Sequence, residues 1–241
     1  MIQILPVRGL PEVREGDDLA ALVAGHIDLA DRDVVVVAHK VVSKAEGRVV
    51  RLADLEASDR ARELAAGERD PRELEAILRE ARRVVRERPP LVIAETRHGF
   101  VCASAGVDHS NAAAEDELVL LPLDPDASAR GLRERLRELT GREVATIVSD
   151  SFGRPFRHGT TDVAIGVSGL APLVDLRGTP DRGGRVLRST QIAVADEIAS
   201  AADLARGKAE GVPAVVVRGL APAGDGAATE LVIEPERDLF R

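Results

Sequence analysis

Three short polar segments bring together side chains that could hold anions or hard cations. The run Ser149-Asp150-Ser151-Phe152-Gly153-Arg154-Pro155-Phe156-Arg157-His158-Gly159 follows directly on the apolar stretch 144–148. A carboxylate and hydroxyl at the end of a buried strand suit a magnesium-type cation, and two arginines with a histidine suit anionic groups. Asp in that position also serves as an ordinary helix cap or turn starter. The crowding of Arg and Gly tilts this segment toward function. Earlier, Ala38-His39-Lys40-Val41-Val42-Ser43-Lys44-Ala45-Glu46-Gly47-Arg48 reads as a loop whose two lysines, serine and arginine could bind phosphate. On this segment alone, a solvated loop is the simpler reading. Between them, Ala105-Gly106-Val107-Asp108-His109-Ser110-Asn111 offers oxygen ligands for a hard cation, although the same residues are common turn formers.

What is missing narrows the chemistry. The chain has no Gly-x4-Gly-Lys-Ser/Thr loop, no Gly-x-Gly-x-x-Gly after a strand, no Gly-x-Ser-x-Gly elbow and no His-Glu-x-x-His, so the common nucleotide folds, serine hydrolases and zinc peptidases are unsupported. The single cysteine, Cys102, has no partner for an intrachain disulfide or a zinc cluster and reads as core filler.

The elements that must position these segments follow from periodicity. Residues 2–7 alternate as a strand, Gly9 to Pro11 turns, and a helix starts near Asp17-Asp18. Residues 34–37, four valines, read as a buried strand. The stretch 58–87 reads as helical, with Asp70-Pro71 as cap and first turn and Leu74, Ile77, Leu78 and Ala81 on one face. Residues 91–94 and 100–103 form a hairpin around Arg97-His98-Gly99, and 118–121 and 144–148 are strands. Helices are expected over 125–139 and 192–206, and a last strand over 214–217. Strands and helices mix without strict βαβ alternation, so the fold class is α+β with a mixed sheet.

At 241 residues the chain fits one domain or two small interlocked ones. Apolar residues at 44% and charged residues at 31% describe a soluble protein, and no apolar run approaches a membrane span. The N-terminus lacks a secretory signal, which places the chain in the cytoplasm. A net charge of −8 argues against nucleic acid as a partner. With 2% aromatic residues and no Trp or Tyr, stacking on a flat ring would fall to Phe, His or Arg.

Taken in order, several motifs resemble the coenzyme F420-0:γ-glutamyl ligase family, including the N-terminal half of its two-domain actinobacterial members. They are Leu-Pro-Val-Arg-Gly-Leu-Pro-Glu at 5–12, Val-Val-Ser-Lys-Ala-Glu-Gly-Arg at 41–48, Ala-Gly-Val-Asp-His-Ser-Asn at 105–111, Leu-Pro-Leu-Asp-Pro-Asp at 121–126, Ser-Asp-Ser-Phe-Gly-Arg at 149–154, Val-Ala-Asp-Glu-Ile-Ala at 194–199 and Val-Val-Arg-Gly-Leu at 216–220. The resemblance implies largely antiparallel sheets with flanking helices in an intertwined homodimer. It implies an amide ligase that uses GTP, with Mg2+ or Mn2+ and with K+, to add L-glutamate to F420-0 and then further γ-linked glutamates through an acyl phosphate. Asp108 and Asp150 become the catalytic carboxylates, and Asp108, Asp150 and Ser151 the metal ligands. Nucleotide contacts fall on Gly9, Leu10, Pro11 and Glu12, on His39, Lys40 and Lys44, on Asn111, and on Arg206, Gly207, Lys208 and Gly211. Arg154, Arg157 and Arg185 are assigned to the substrate's phosphodiester or glutamate tail, with structural ion pairs as the alternative.

Two departures from the family pattern stand out. In the loop from Arg206 to Gly211, archaeal relatives carry an acidic metal ligand where this chain has Lys208, so either Glu210 substitutes or the second metal loses a ligand. At 39–40, His-Lys replaces the small hydroxyl residues common in the family. The chain stops where fused relatives continue into a flavin-binding domain, so neither that domain nor FMN is expected. The rival reading is a catalytically silent GTP- or F420-binding module; a phosphatase using Asp150 as nucleophile is a third.

Overall fold

The four valines at 34–37 have no solvent exposure, and their strand sits at the centre of a five-stranded sheet. A strand that is β-branched on both faces fits a position covered on both sides. The computed structural model of the chain describes residues 1–110, 114–207, 210–220 and 223–239. In the sheet, β1 (Gln3–Val7) pairs antiparallel with β12 (Ala214–Arg218), which pairs antiparallel with β2 (Val34–Ala38). β2 runs parallel to β8 (Ala145–Arg154), and β8 forms an antiparallel hairpin with β9 (Arg157–Ser168). This mixed, mostly antiparallel arrangement is the α+β class expected from the sequence.

Helices α1 (Leu19–Ala24), α2 (His39–Ala45), α5 (Pro125–Thr140) and α6 (Val194–Arg206) surround this sheet. Asp18 caps α1 by accepting from Ala21 N at 3.0 Å, and Asp124 caps α5 by accepting from Ala127 N at 2.9 Å; each satisfies one orphan amide of a first turn. The start of α5 is fixed further by Asp126, which is buried and accepts from Val167 N and Ala228 N at 2.8 Å each.

A second core lies under α3 (Asp59–Ala65) and α4 (Pro71–Glu80), where Leu64, Leu74, Ile77 and Leu118 are fully buried. It includes the strand pair β3 (Val49–Arg51) and β7 (Glu117–Val119), and the three-stranded sheet β4 (Ala81–Arg88), β5 (Leu91–Thr96) and β6 (Val101–Ala103). Cys102 is buried and unpaired, and burial pushes its thiol up to about 12, which leaves it inert packing.

The structure corrects three local expectations. The helical stretch 58–87 breaks into α3 and α4 and ends at Glu80, after which 81–88 are extended and pair with β5. Val84 and Val85 favour a strand there, and tertiary pairing outweighs helical periodicity. Residues 39–45 are a helix, not a loop. The segment 149–154 continues β8, and its partner strand β9 was unforeseen because the polar residues 157–162 hide its period. Among the described residues, no helix is long and apolar enough to cross a membrane.

Candidate active site

β2 ends at Ala38, opposite Ser149 of β8. Beyond that point β8 loses its parallel neighbour, and the gap opens as a cleft of about 310 Å³. Its walls come from the turn at 10–13, from α2, from Asp108, from β8 and β9, and from the end of α6 with Gly207 and the stretch 211–213.

α2 starts directly after β2, so its first residues face the cleft. His39 is 2% exposed; its Nε2 lies 3.3 Å from Asp150 Oδ1 but makes no hydrogen bond among the described residues, and its Nδ1 lies 3.4 Å from Ser43 Oγ. Lys40 Nζ donates to Asp108 Oδ2 at 2.5 Å and to Ser110 Oγ at 2.6 Å. One turn on, the buried Lys44 donates to Glu12 Oε1 at 2.5 Å and ties α2 to the turn after β1. Asp108 Oδ1 also accepts from the backbone N–H and the hydroxyl of Ser110, at 2.7 and 2.8 Å. Burial alone would raise the Asp108 carboxyl, but the bond and charge of Lys40, with the Ser110 donors, outweigh it and hold the pKa below its ordinary value.

On the opposite wall Asp150 Oδ1 accepts from Ser151 N at 2.7 Å. Beneath it, Asp162 of β9 is 1% exposed and collects Ser149 Oγ at 2.8 Å, Ser151 Oγ at 2.7 Å and Arg206 Nη1. Arg206 closes α6 and is itself 9% exposed.

The cleft therefore gathers Leu10, Pro11, Glu12, His39, Lys40, Lys44, Asp108, Asp150, Ser151, Arg206, Gly207 and Gly211 of the residues singled out in the sequence. It does not gather the others. Gly9 lies just before the lining turn, at φ +83°. Glu210 is 61% exposed, off the lining, with Arg8 Nη1 at 3.8 Å. Arg154 Nη2 donates to His158 O at 2.7 Å within the β8–β9 turn, Arg157 is exposed on that turn, and Arg185 lies on a separate exposed segment where its backbone N–H donates to Asp181 Oδ1. Asn111 and Lys208 lie outside the described residues. Ser149, which opens the run 149–159, lines the cleft too, and Asp162 and Asp203 line it without having been foreseen. A buried position opposite Ser151 in the hairpin register marks Asp162, but only once β9 is recognised.

Charge decides what this cleft can accept. Among the described residues it carries the carboxylates Glu12, Asp108, Asp150, Asp162 and Asp203 against the cations Lys40, Lys44 and Arg206. A polyphosphate would meet net repulsion here unless cations entered with it. No group of three His, Cys, Asp or Glu residues among those described converges as a metal cage. Two carboxylates with a hydroxyl nonetheless fit a magnesium-type ion, which completes its shell with water and phosphate oxygens.

Residues 9–219 match the profile of the F420-0:gamma-glutamyl ligases. The chain belongs to this family. A relative from Methanopyrus kandleri named coenzyme F420:L-glutamate ligase is 49% identical over 247 residues, covering 100% of this chain and 98% of the relative. Ligases of the same name from Methanothermobacter thermautotrophicus and Archaeoglobus fulgidus are each 46% identical, over 100% of this chain and 99% and 96% of their own lengths. The F420-0:gamma-glutamyl ligase match takes in the cleft-lining stretches from Leu10 to Pro213, so family and cleft refer to the same residues.

Proposed function

We propose that this chain is a coenzyme F420:L-glutamate ligase, the activity for which its relatives are named, and that it is GTP- and divalent-metal-dependent. The observation that carries the reading is the cleft in which Asp108 and Asp150 face Lys40, Lys44 and Arg206. In this reading a carboxylate of F420-0 attacks the γ-phosphorus of GTP, GDP leaves, and an acyl phosphate forms. The amine of L-glutamate, having lost a proton, then attacks the acyl carbon, and phosphate leaves as the amide bond forms. Repetition on the new γ-carboxylate extends the tail.

Asp108, Asp150 and Ser151 would hold Mg2+ or Mn2+, with K+ alongside. Such a metal would supply charge neutralisation where a phosphate meets these carboxylates. Lys40 in the first turn of α2 and Lys44 in its last turn would take phosphate charge in exchange for Asp108 and Glu12. The turn at 9–12 and the loop at 206–211, with Asn111, complete the nucleotide contacts. Arg154, Arg157 and Arg185 do not reach the cleft within one chain, so a role on the substrate tail requires the homodimer. We propose that assembly, in the cytoplasm, with the chain acting as a single ligase domain that needs no FMN.

Incubation with F420-0, L-glutamate, GTP and Mn2+, followed by mass analysis, tests the reading. Mass gains of whole glutamyl residues that vanish without GTP or with chelator are expected; no gain removes the ligase. A second reading, a silent GTP- or F420-binding module, draws on Glu210 lying off the cleft beside Arg8. It predicts nucleotide binding without any mass gain.

A further inference from the structure

We infer that Asp162 is a positioning residue that fixes the polarity of the β8 wall of the cleft, by accepting the hydroxyl hydrogen bond of Ser151 so that this oxygen meets the cleft only as an acceptor. The inference rests on the metal-dependent reading above. A serine hydroxyl has one proton to give and two lone pairs. Ser151 Oγ donates to Asp162 Oδ1 at 2.7 Å, and among the described residues it has no other partner. What remains toward the cleft is lone-pair density, which suits a cation and cannot donate to a phosphate.

Ser149 shows the contrast. Its Oγ donates to Asp162 Oδ2 at 2.8 Å and accepts from Arg206 Nη1 at 3.0 Å, and the residue is buried. Its bonding is filled within the protein. Every side-chain partner of Asp162 among the described residues is thus a donor, two hydroxyls and a guanidinium, which is the pattern of a carboxylate that only accepts. Arg206 in turn spends one nitrogen on Asp162 and Ser149, while its Nε and Nη2 are buried without partners among the described residues. The same carboxylate therefore sets a cation-seeking oxygen beside unspent N–H donors.

An amide at this position cannot reproduce that pattern. If the Asn oxygen stays with Arg206 and Ser149, its NH2 faces Ser151, which must then accept and turn its own proton into the cleft. The polarity at the proposed ligand reverses while shape is kept.

The probe is Mn2+ alone, titrated into the full chain and followed by electron paramagnetic resonance, with thermal melting as a check on folding. Asp162→Asn is expected to weaken Mn2+ about 10- to 100-fold, the usual cost of losing the group that orients a ligand. In a Ser151→Ala background the same substitution should change affinity less than about twofold, because its target oxygen is gone. A folded Asp162→Asn chain that binds Mn2+ normally overturns the inference, as does an equal loss with and without Ser151. Should Asp162→Asn fail to fold, Asp162→Asn with Arg206→Gln removes both buried charges together and carries the same comparison. Ser149→Ala against Ser151→Ala gives an independent check: only the second should weaken Mn2+, and equal effects overturn the inference. An unmodified chain that does not bind Mn2+ at all removes the metal reading itself, and this inference with it.

Discussion

Asp108 and Asp150 reach one cleft from opposite sides, and each already has a basic neighbour within it. Asp150→Asn keeps shape and loses charge, so turnover should fall by more than the ~10- to 100-fold that a merely supporting group costs. Its melting temperature should stay within a few degrees, and near-normal rates would remove Asp150 from the chemistry. Asp108 gives a pH signature. With its folded pKa below the ordinary value, its ion pair adds stability above that ordinary value and loses it as pH falls through the folded one. Lys40→Met leaves burial unopposed except by Ser110, so the carboxyl should rise, and the variant should be weakest relative to the parent near pH 7. Denaturant unfolding from about pH 3 to about pH 7 checks this; a gap that narrows as pH rises contradicts it. At this scale the residue types were legible and their partnerships were not. Asp150, Ser151 and the lysines stand out as polar groups beside apolar strands, whereas Asp162 acts across a hairpin whose register no local pattern displays.

Among the elements, α5 and β9 meet closely. A Cβ built on Gly166 would lie 2.1 Å from Pro125 O, backbone at the capped start of α5 that Asp126 also pins. That contact has no flexible end to yield, so Gly166→Ala should cost at least about 2 kcal/mol, read by denaturant unfolding; a loss under about 0.5 kcal/mol would mean the helix moves freely on the strand. Strands with uniform apolar faces, β2 and β12 above all, announced themselves in the sequence, as did capped α4 and α5. The β4 strand did not, because Leu74 to Ala81 keeps helical spacing up to the residue where pairing with β5 takes over. Nor did β9: the exposed residues of its first half follow solvent and not a core, and without them its buried second half was not read as a strand.

At the scale of the molecule, 173–191 form an arm that buries little in this chain. The pair β10 (Val174–Asp175) and β11 (Gln191–Ile192) anchors it, a bridge between Pro180 and Val186 closes it, and most of its residues are exposed. Apolar side chains are also exposed on other elements, Phe156 at 89% in the β8–β9 turn and Leu204 at 85% on α6. Chain order through this arm takes geometry from ordered backbone bonds and leaves side chains for a second surface. Sedimentation velocity should therefore give a dimer mass at micromolar concentration, and Phe156→Asp with Leu204→Asp should shift it toward the monomer; a monomeric parent chain would withdraw the homodimer. The fold class was legible from the whole string of elements, but nothing in the spacing of Arg177, Arg182, Arg185 and Arg188 marks an arm, because exposed polar residues look alike wherever they stand.

The outer strand of the central sheet has a consequence for timing. Among the described residues β1 has β12 as its one sheet neighbour, so during synthesis β1 emerges long before the strand it must pair with. Until residues 214–218 leave the ribosome, the turn at 10–13 lacks the anchor that β1–β12 pairing gives it and leans on the Lys44–Glu12 pair with α2, so one wall of the cleft is incomplete. A nascent chain lacking its last strand should thus be unable to retain nucleotide, however well its second core has formed. Ligand capture would then act as a late signal of completed folding, and ligand excess would stabilise only chains that have joined their two ends.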